Sequence, residues 1–215
     1  GKTTQQLAQY QVDANATYGD PPLQLEANAS SSLGVIFSSS DPEVLEVNGT
    51  QLLVRGAGQA TIFVNQGGDS NYFAAPELNA TVEVFPAELK VVAHDASKAY
   101  LESVPELTYH YEGFGYDENA SVLEQQASIE VNASASSPTG TYPISVSGGL
   151  AANYQFTHQG ATLLVYKANQ VISFAQDFNG TFMGQEPIDL NATASSGLPV
   201  SYHSSHPEIA EVNGT

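Results

Sequence analysis

Nine of the thirteen asparagines in this chain begin an Asn-X-Ser/Thr triplet: Asn15, Asn28, Asn48, Asn79, Asn119, Asn132, Asn179, Asn191 and Asn213. The middle residue is always Ala or Gly and never Pro. With 36 Ser and Thr among 215 residues, chance supplies about two such triplets. The pattern marks acceptors for N-linked glycans in a secretory pathway that has the transferase. The same residues also serve a structural purpose, since Asn-Gly-Thr makes a turn and Leu-Asn-Ala-Thr alternates as a strand. The sequence leaves both readings open.

Oxygen donors gather at Asp69-Ser70-Asn71, Asp117-Glu118-Asn119 and Asp177-Phe178-Asn179. Calcium takes about six to eight oxygens, and no EF-hand loop or nonapeptide calcium repeat is present. Solvated acidic loops are the default, so no cofactor is assigned and Ca2+ is the one ion these loops would suit. His203 and His206 lie three apart in an extended segment, which turns them to opposite faces, and no third metal ligand is near. The chain has no Gly-x-Ser-x-Gly elbow, no His-Glu-x-x-His pair and no phosphate-cradling glycine loop. No catalytic residue and no metal site follow, and an enzyme is not expected. Tyr100, Tyr109, Tyr111, Phe114, Tyr116, Tyr142, Tyr154 and Phe156 concentrate in the middle of the chain. They read either as the inner face of a sheet or as a sugar-stacking surface.

Composition narrows the partners. Five Lys and Arg against 23 Asp and Glu give a net charge of −18, which excludes nucleic acid and anionic membrane surfaces as natural partners. Such acidity keeps molecules soluble and mutually repelling. Cysteine and tryptophan are absent, so no disulfide stabilises the fold and the Cys…Trp…Cys pattern of antibody domains is missing. No apolar run reaches the length of about 18 residues needed to span a membrane. The opening Gly1-Lys2-Thr3-Thr4 has no signal-peptide apolar core.

The elements that must position these residues are strands. Leu23, Leu25 and Ala27 alternate with polar neighbours, as do Ala60/Ile62/Val64, Leu107/Tyr109/Tyr111 and Tyr142/Ile144/Val146. Period-two alternation broken by Gly, Pro, Asn and Ser clusters predicts antiparallel strands with one buried face. Val44–Val47, Asn48-Gly49 and Leu52–Val54 read as a hairpin with a type I′ turn at Asn48-Gly49. Gly148-Gly149 reads as a turn linking strands, and no helical stretch is evident. Leu25, Ile62, Leu107 and Ile144 are the expected core positions.

Gln5–Thr50 aligns without a gap on Gln170–Thr215, down to the endings Glu46-Val47-Asn48-Gly49-Thr50 and Glu211-Val212-Asn213-Gly214-Thr215. Repetition of this fidelity predicts a modular array whose last copy is incomplete here. The predicted units are 1–86, 87–167 and 168–215, joined by links too short to be flexible.

Several motifs carry a resemblance. Leu190–Val200, Ser39–Val47, Gly56–Ile62 and Gln66–Tyr72 make the first and third units similar to bacterial Ig-like (Big) repeats. The middle unit resembles the MBG repeat through Ser97-Lys98-Ala99-Tyr100, Pro105–Tyr109, Gly113-Phe114, Ser136–Ile144, Ala152-Asn153-Tyr154 and Leu164–Ala168. MBG repeats usually carry Tyr-Gly where this chain has Tyr100-Leu101, so a remodelled turn is expected there. The resemblance implies an all-β chain of tandem immunoglobulin-like β-sandwich domains forming an elongated rod. It further implies non-catalytic stalk repeats of a large adhesin-like protein, cell-surface or secreted. The expected partners are neighbouring repeats of the same chain. Two alternatives stand beside this reading: a glycosylated filament assembled from copies that donate the strand Gln5–Val12, and a module that binds host or surface glycans or a protein.

Overall fold

The computed structural model describes residues 1–213, and its regular secondary structure is almost wholly β-strand. The first group is β1 (Leu7–Gln11), β2 (Asn15–Thr17), β3 (Leu23–Gln24), β4 (Glu26–Ala29), β5 (Ile36–Ser39), β6 (Leu45–Asn48), β7 (Gln51–Val54), β8 (Gly58–Asn65) and β9 (Leu78–Phe85). After Pro86 come β10 (Ala87–Ala93), β11 (Ala96–Ala99), β12 (Tyr109–Glu112), β13 (Gln125–Val131), β14 (Gly140–Leu150), β15 (Tyr154–Gln159) and β16 (Ala161–Tyr166). β17 (Ile172–Ser173) and β18 (Thr193–Ala194) follow. The sole helical piece among the described residues is a 3-10 turn at Ala120–Val122.

In the first group a four-stranded sheet (β2-β9-β8-β5) and a three-stranded sheet (β3-β7-β6) share one core, and β1 pairs with β4 beside them. The alternation in the sequence decides which side chains enter it. Ala60, Ile62 and Val64 of β8 and Val82 and Val84 of β9 point inward to meet Leu45, Leu52 and Val54 of the other sheet. In the second group β12-β10-β15 and β11-β16-β14-β13 enclose Val91, Ile144, Val146, Leu163 and Val165. Tyr109 and Tyr111 reach across from β12. The Tyr109 hydroxyl donates to the Ala127 carbonyl (2.7 Å) and the Tyr111 hydroxyl accepts from the Ala127 N–H (2.9 Å). Burial and then the Tyr111 hydroxyl raise Tyr109 to about 12.

Several local expectations are corrected. Three pairings are parallel rather than antiparallel: β2 with β9, β10 with β15 and β11 with β16. Each joins an early strand of its group to a late one, and the strands between supply the long crossover that parallel pairing needs. The hairpin β6–β7 exists, but Asn48 pairs with Gln51, so the loop is Gly49-Thr50. Only Gly49 has positive φ (63°), which belongs to a type II′ rather than a type I′ turn. Leu25 sits between β3 and β4 instead of inside one strand and is still fully buried. Gly148 and Gly149 lie within β14. A Cβ on Gly149 would fall 2.5 Å from the Phe156 ring, so the glycine makes room for an aromatic rather than for a turn. Leu107 lies outside β12 and is half-buried, whereas Leu25, Ile62 and Ile144 are core. The stretch Gln5–Val12, expected as a donated strand, is used at home: β1 pairs with β4, and Gln5 is buried and donates to the Phe73 carbonyl.

Candidate functional site

The most elaborate polar and aromatic constellation lies where the first group of strands meets the second. Only Pro86 separates β9 from β10, and its ring fixes one backbone angle of the link. Tyr18 follows β2 and is anchored by its own N–H to the Phe85 carbonyl (2.9 Å). Its ring meets Tyr116 edge-on (5.3 Å between centroids, 85°) and Tyr154 likewise (5.5 Å, 86°). Phe114 packs edge-on against the other side of Tyr154. Edge-to-face contacts of this kind add about 0.5–1.5 kcal/mol each beyond simple burial.

Glu118 ties the joint together. One carboxylate oxygen accepts from the Tyr18 hydroxyl (2.8 Å) and the other from the Tyr154 hydroxyl (2.5 Å). The Tyr154 oxygen in turn accepts from the Gly115 N–H. Tyr116 reaches the other way, its one hydroxyl proton shared between the carbonyls of Val54 (2.9 Å) and Asp20 (3.1 Å). Asn153 closes the remaining side, with its side-chain oxygen accepting from the Ala57 N–H and its carbonyl from the Ala87 N–H. Burial, and next the bond to Glu118, push the Tyr18 hydroxyl up to about 12 and raise Tyr154 in the same way.

Backbone shape makes this approach feasible. Tyr116 and Asp117 both have left-handed φ (51° and 58°) without being glycine, a cost met only where surrounding contacts hold the loop. Gly19 and Gly115 touch, and a Cβ on Gly115 would fall 3.3 Å from the Gly19 Cα.

The sequence singled out Phe114, Tyr116 and Tyr154 as core or sugar-stacking aromatics, and the structure places all three at this joint. It missed Tyr18, and it read Glu118 only as an oxygen donor of an acidic loop and Asn153 only as part of a motif, not as partners of these aromatics. The available signal was Tyr18-Gly19 and Phe114-Gly115-Tyr116, each an aromatic beside a glycine, but nothing local announces that the two touch.

The other candidate residues are dispersed. All nine triplet asparagines, from Asn15 to Asn213, are solvent-exposed. Some lie on strands, as Asn28 and Asn79 do, and others at turns, as Asn48 and Asn179 do. Asn119 caps the 3-10 turn by accepting from the Ser121 N–H. Thr215, the hydroxyl residue of the Asn213 triplet, lies outside the described residues. Within the acidic stretches, Asp69 Oδ1 accepts from the Asn71 and Tyr72 amides, Asp177 Oδ1 from the Asn179 amide, and Glu118 from the two tyrosines. Among the described residues no three or more His, Cys, Asp and Glu side chains gather as a metal site. His206 contacts Glu208 rather than His203.

Among the described residues no helix is long and apolar enough to cross a membrane. The curated proteins hold no match to the sequence. Solved structures that align with the chain include Drosophila N-cadherin EC1-4 (10% identity, TM-score 0.34) and surface layer protein SbsC, domains 1-6 (16% identity, TM-score 0.27). The alignments cover 79% and 82% of this chain but only 50% and 31% of those chains. The family comparison is more specific, and it falls on the segment that carries Tyr109, Tyr111, Phe114 and Tyr154: an MBG domain of the YGX type is found at residues 89–164.

Proposed function

We propose that this chain is a non-catalytic structural array, in which immunoglobulin-like sandwich units are set end to end as an extracellular spacer in an adhesin-like surface or secreted protein. The segments flanking the MBG domain serve as Big-type repeats. The joint is the observation that carries this reading. A linker that only connected two modules would need neither a single-residue bridge nor three tyrosines in edge-on contact, two of them bonded to one carboxylate. Such a joint transmits direction from one unit to the next, and direction is what a stalk requires.

The absence of native cysteine makes the test direct. Cysteines placed at the exposed Ser38 and Ser145 of the full chain can be spin-labelled and their separation measured by pulsed EPR. A narrow distance distribution that broadens in the Tyr18→Ala, Glu118→Ala variant is the expected result. A parent distribution already as broad as the variant's would overturn the spacer reading.

The exposure of all nine triplet asparagines favours a second layer to this function, a glycan coat along the array. Glycopeptide mass spectrometry on protein from its own source is expected to find sugar at most of these positions. Nine bare asparagines would leave them as turn and strand residues.

A further inference from the structure

The alternation that turns Tyr109 and Tyr111 inward turns His110 and Glu112 of the edge strand β12, and Thr108 just before it, outward. Opposite them, Val92 of β10 pairs with His110, and the ladder continues as the His94 N–H donates to the Thr108 carbonyl (3.0 Å). His94 and His110 are therefore diagonal neighbours on one exposed face, within reach of long side chains. Their ring planes differ by 15°, the centroids are 4.9 Å apart, and His94 Nε2 lies 2.8 Å from His110 Nδ1. That combination sets the rings edge to edge with two nitrogens facing each other.

The outer partners fix the tautomers. Glu112 only accepts, so His110 Nε2 carries the proton it donates to Glu112 Oε1 (3.1 Å). Nδ1 of His110 then holds a lone pair toward His94. On the far side, His94 Nδ1 lies 2.9 Å from the Thr108 hydroxyl, which can donate or accept. Should the His94 proton move from Nε2 to Nδ1, Thr108 changes from donor to acceptor and two lone pairs face one point. No proton is lost from the protein in that change.

We propose that His94 Nε2 and His110 Nδ1 form a two-imidazole chelate for a divalent transition-metal ion, with copper(II) preferred over nickel(II) and zinc(II). Two nitrogens bonded at about 2.0–2.1 Å at a right angle stand about 2.9 Å apart, close to the separation present. Tetrahedral zinc needs about 3.4 Å and a wider opening of the pair. Each exposed ring turns to aim its lone pair beside the N···N line, and two metal–nitrogen bonds replace one N–H···N hydrogen bond. Water completes the coordination. The Glu112 carboxylate holds the ligating His110 through its distal N–H, the outer arrangement that orients metal-bound imidazoles. The chain's net charge of −18 draws cations to its surface.

Copper(II), nickel(II) and zinc(II) titrations of the full chain in a non-coordinating buffer test this, followed by calorimetry and, for copper, by EPR. One copper equivalent with hyperfine coupling to two nitrogens is expected, bound more tightly than nickel or zinc. Replacing either ligand, as His94→Ala or His110→Ala, abolishes that equivalent, and Glu112→Gln weakens it about tenfold or more. His158→Ala, whose imidazole instead contacts the Gly148 carbonyl, and His206→Ala leave it unchanged. Circular dichroism confirms that these surface variants fold. An unchanged copper equivalent in His94→Ala, or one lost only in His206→Ala, would overturn the proposal.

Discussion

Leu101 shows how a single residue carries strain. Ala99 to Glu102 form a tight turn closed by the Glu102 N–H to the Ala99 carbonyl (3.2 Å), with Leu101 third at φ 73°. Positive φ at that position is type II geometry and favours glycine. At Tyr100-Leu101 the chain therefore makes a tight turn with a leucine in a conformation that favours glycine. Since Leu101 is largely exposed, Leu101→Gly is expected to stabilise the surrounding unit by about 0.5–1 kcal/mol in urea unfolding, relieved strain exceeding the added chain entropy. Beneath the turn Lys98 is buried, and its ammonium donates to the carbonyls of Glu102 (3.0 Å), Ala135 (3.1 Å) and Ala99 (3.4 Å). Lys98→Met matches the stem but takes the ammonium from the Glu102 carbonyl, while the Ala99 and Ala135 carbonyls keep the N–H groups of Glu102 and Leu101, and the same assay should register a loss of about 1–3 kcal/mol.

Between elements, the joint depends on tyrosines remaining neutral. Tyr18 titrates at about 12 in the folded chain against 10.0 for an ordinary tyrosine. A raised value means the folded state holds the proton longer than the unfolded state does. The contribution is then complete below pH 10 and is lost as pH climbs toward 12. Absorbance of tyrosinate near the red edge should lag for Tyr18, and near-ultraviolet circular dichroism should collapse together with its ionisation. Tyr18→Phe keeps the ring contacts and removes one bond to Glu118, an expected loss of about 1 kcal/mol. Tyr18→Ala also removes the packing and should cost about 3–5 kcal/mol. If the two variants unfold alike, the aromatic contacts contribute nothing to the joint.

Across the whole molecule, order follows completion of a core. The third group reproduces the first in detail. Ile172 pairs with Ala194 as Leu7 pairs with Ala29, and the Val171 N–H meets the Ser195 hydroxyl as the Gln6 N–H meets that of Ser30. Gly197 takes the left-handed φ of Ser32. These are local bonds, and they form without the rest of a unit. Burial does not follow: Ile172 is 59% exposed where Leu7 is 9%, because nothing among the described residues covers it as β8 and β9 cover the first core. Hydrogen exchange on the full chain should therefore show protection in β8, β9, β14 and β16 and little between residues 174 and 191.

The sequence by itself determined the strand-rich class, the core faces carried by Ile62, Val64, Ile144 and Val146, and the repeat, because each is written in neighbouring residues with a period of two. Its motifs also led to the MBG domain. Only the tertiary structure decided which strands pair in parallel, that Gly149 lies inside a strand, and that Tyr18, Glu118 and Tyr154 meet. Alternation says which side of a strand is buried, not which strand lies beside it or in which direction. For the same reason His94 and His110, sixteen residues apart, became neighbours only when the ladder of β10 and β12 set their register.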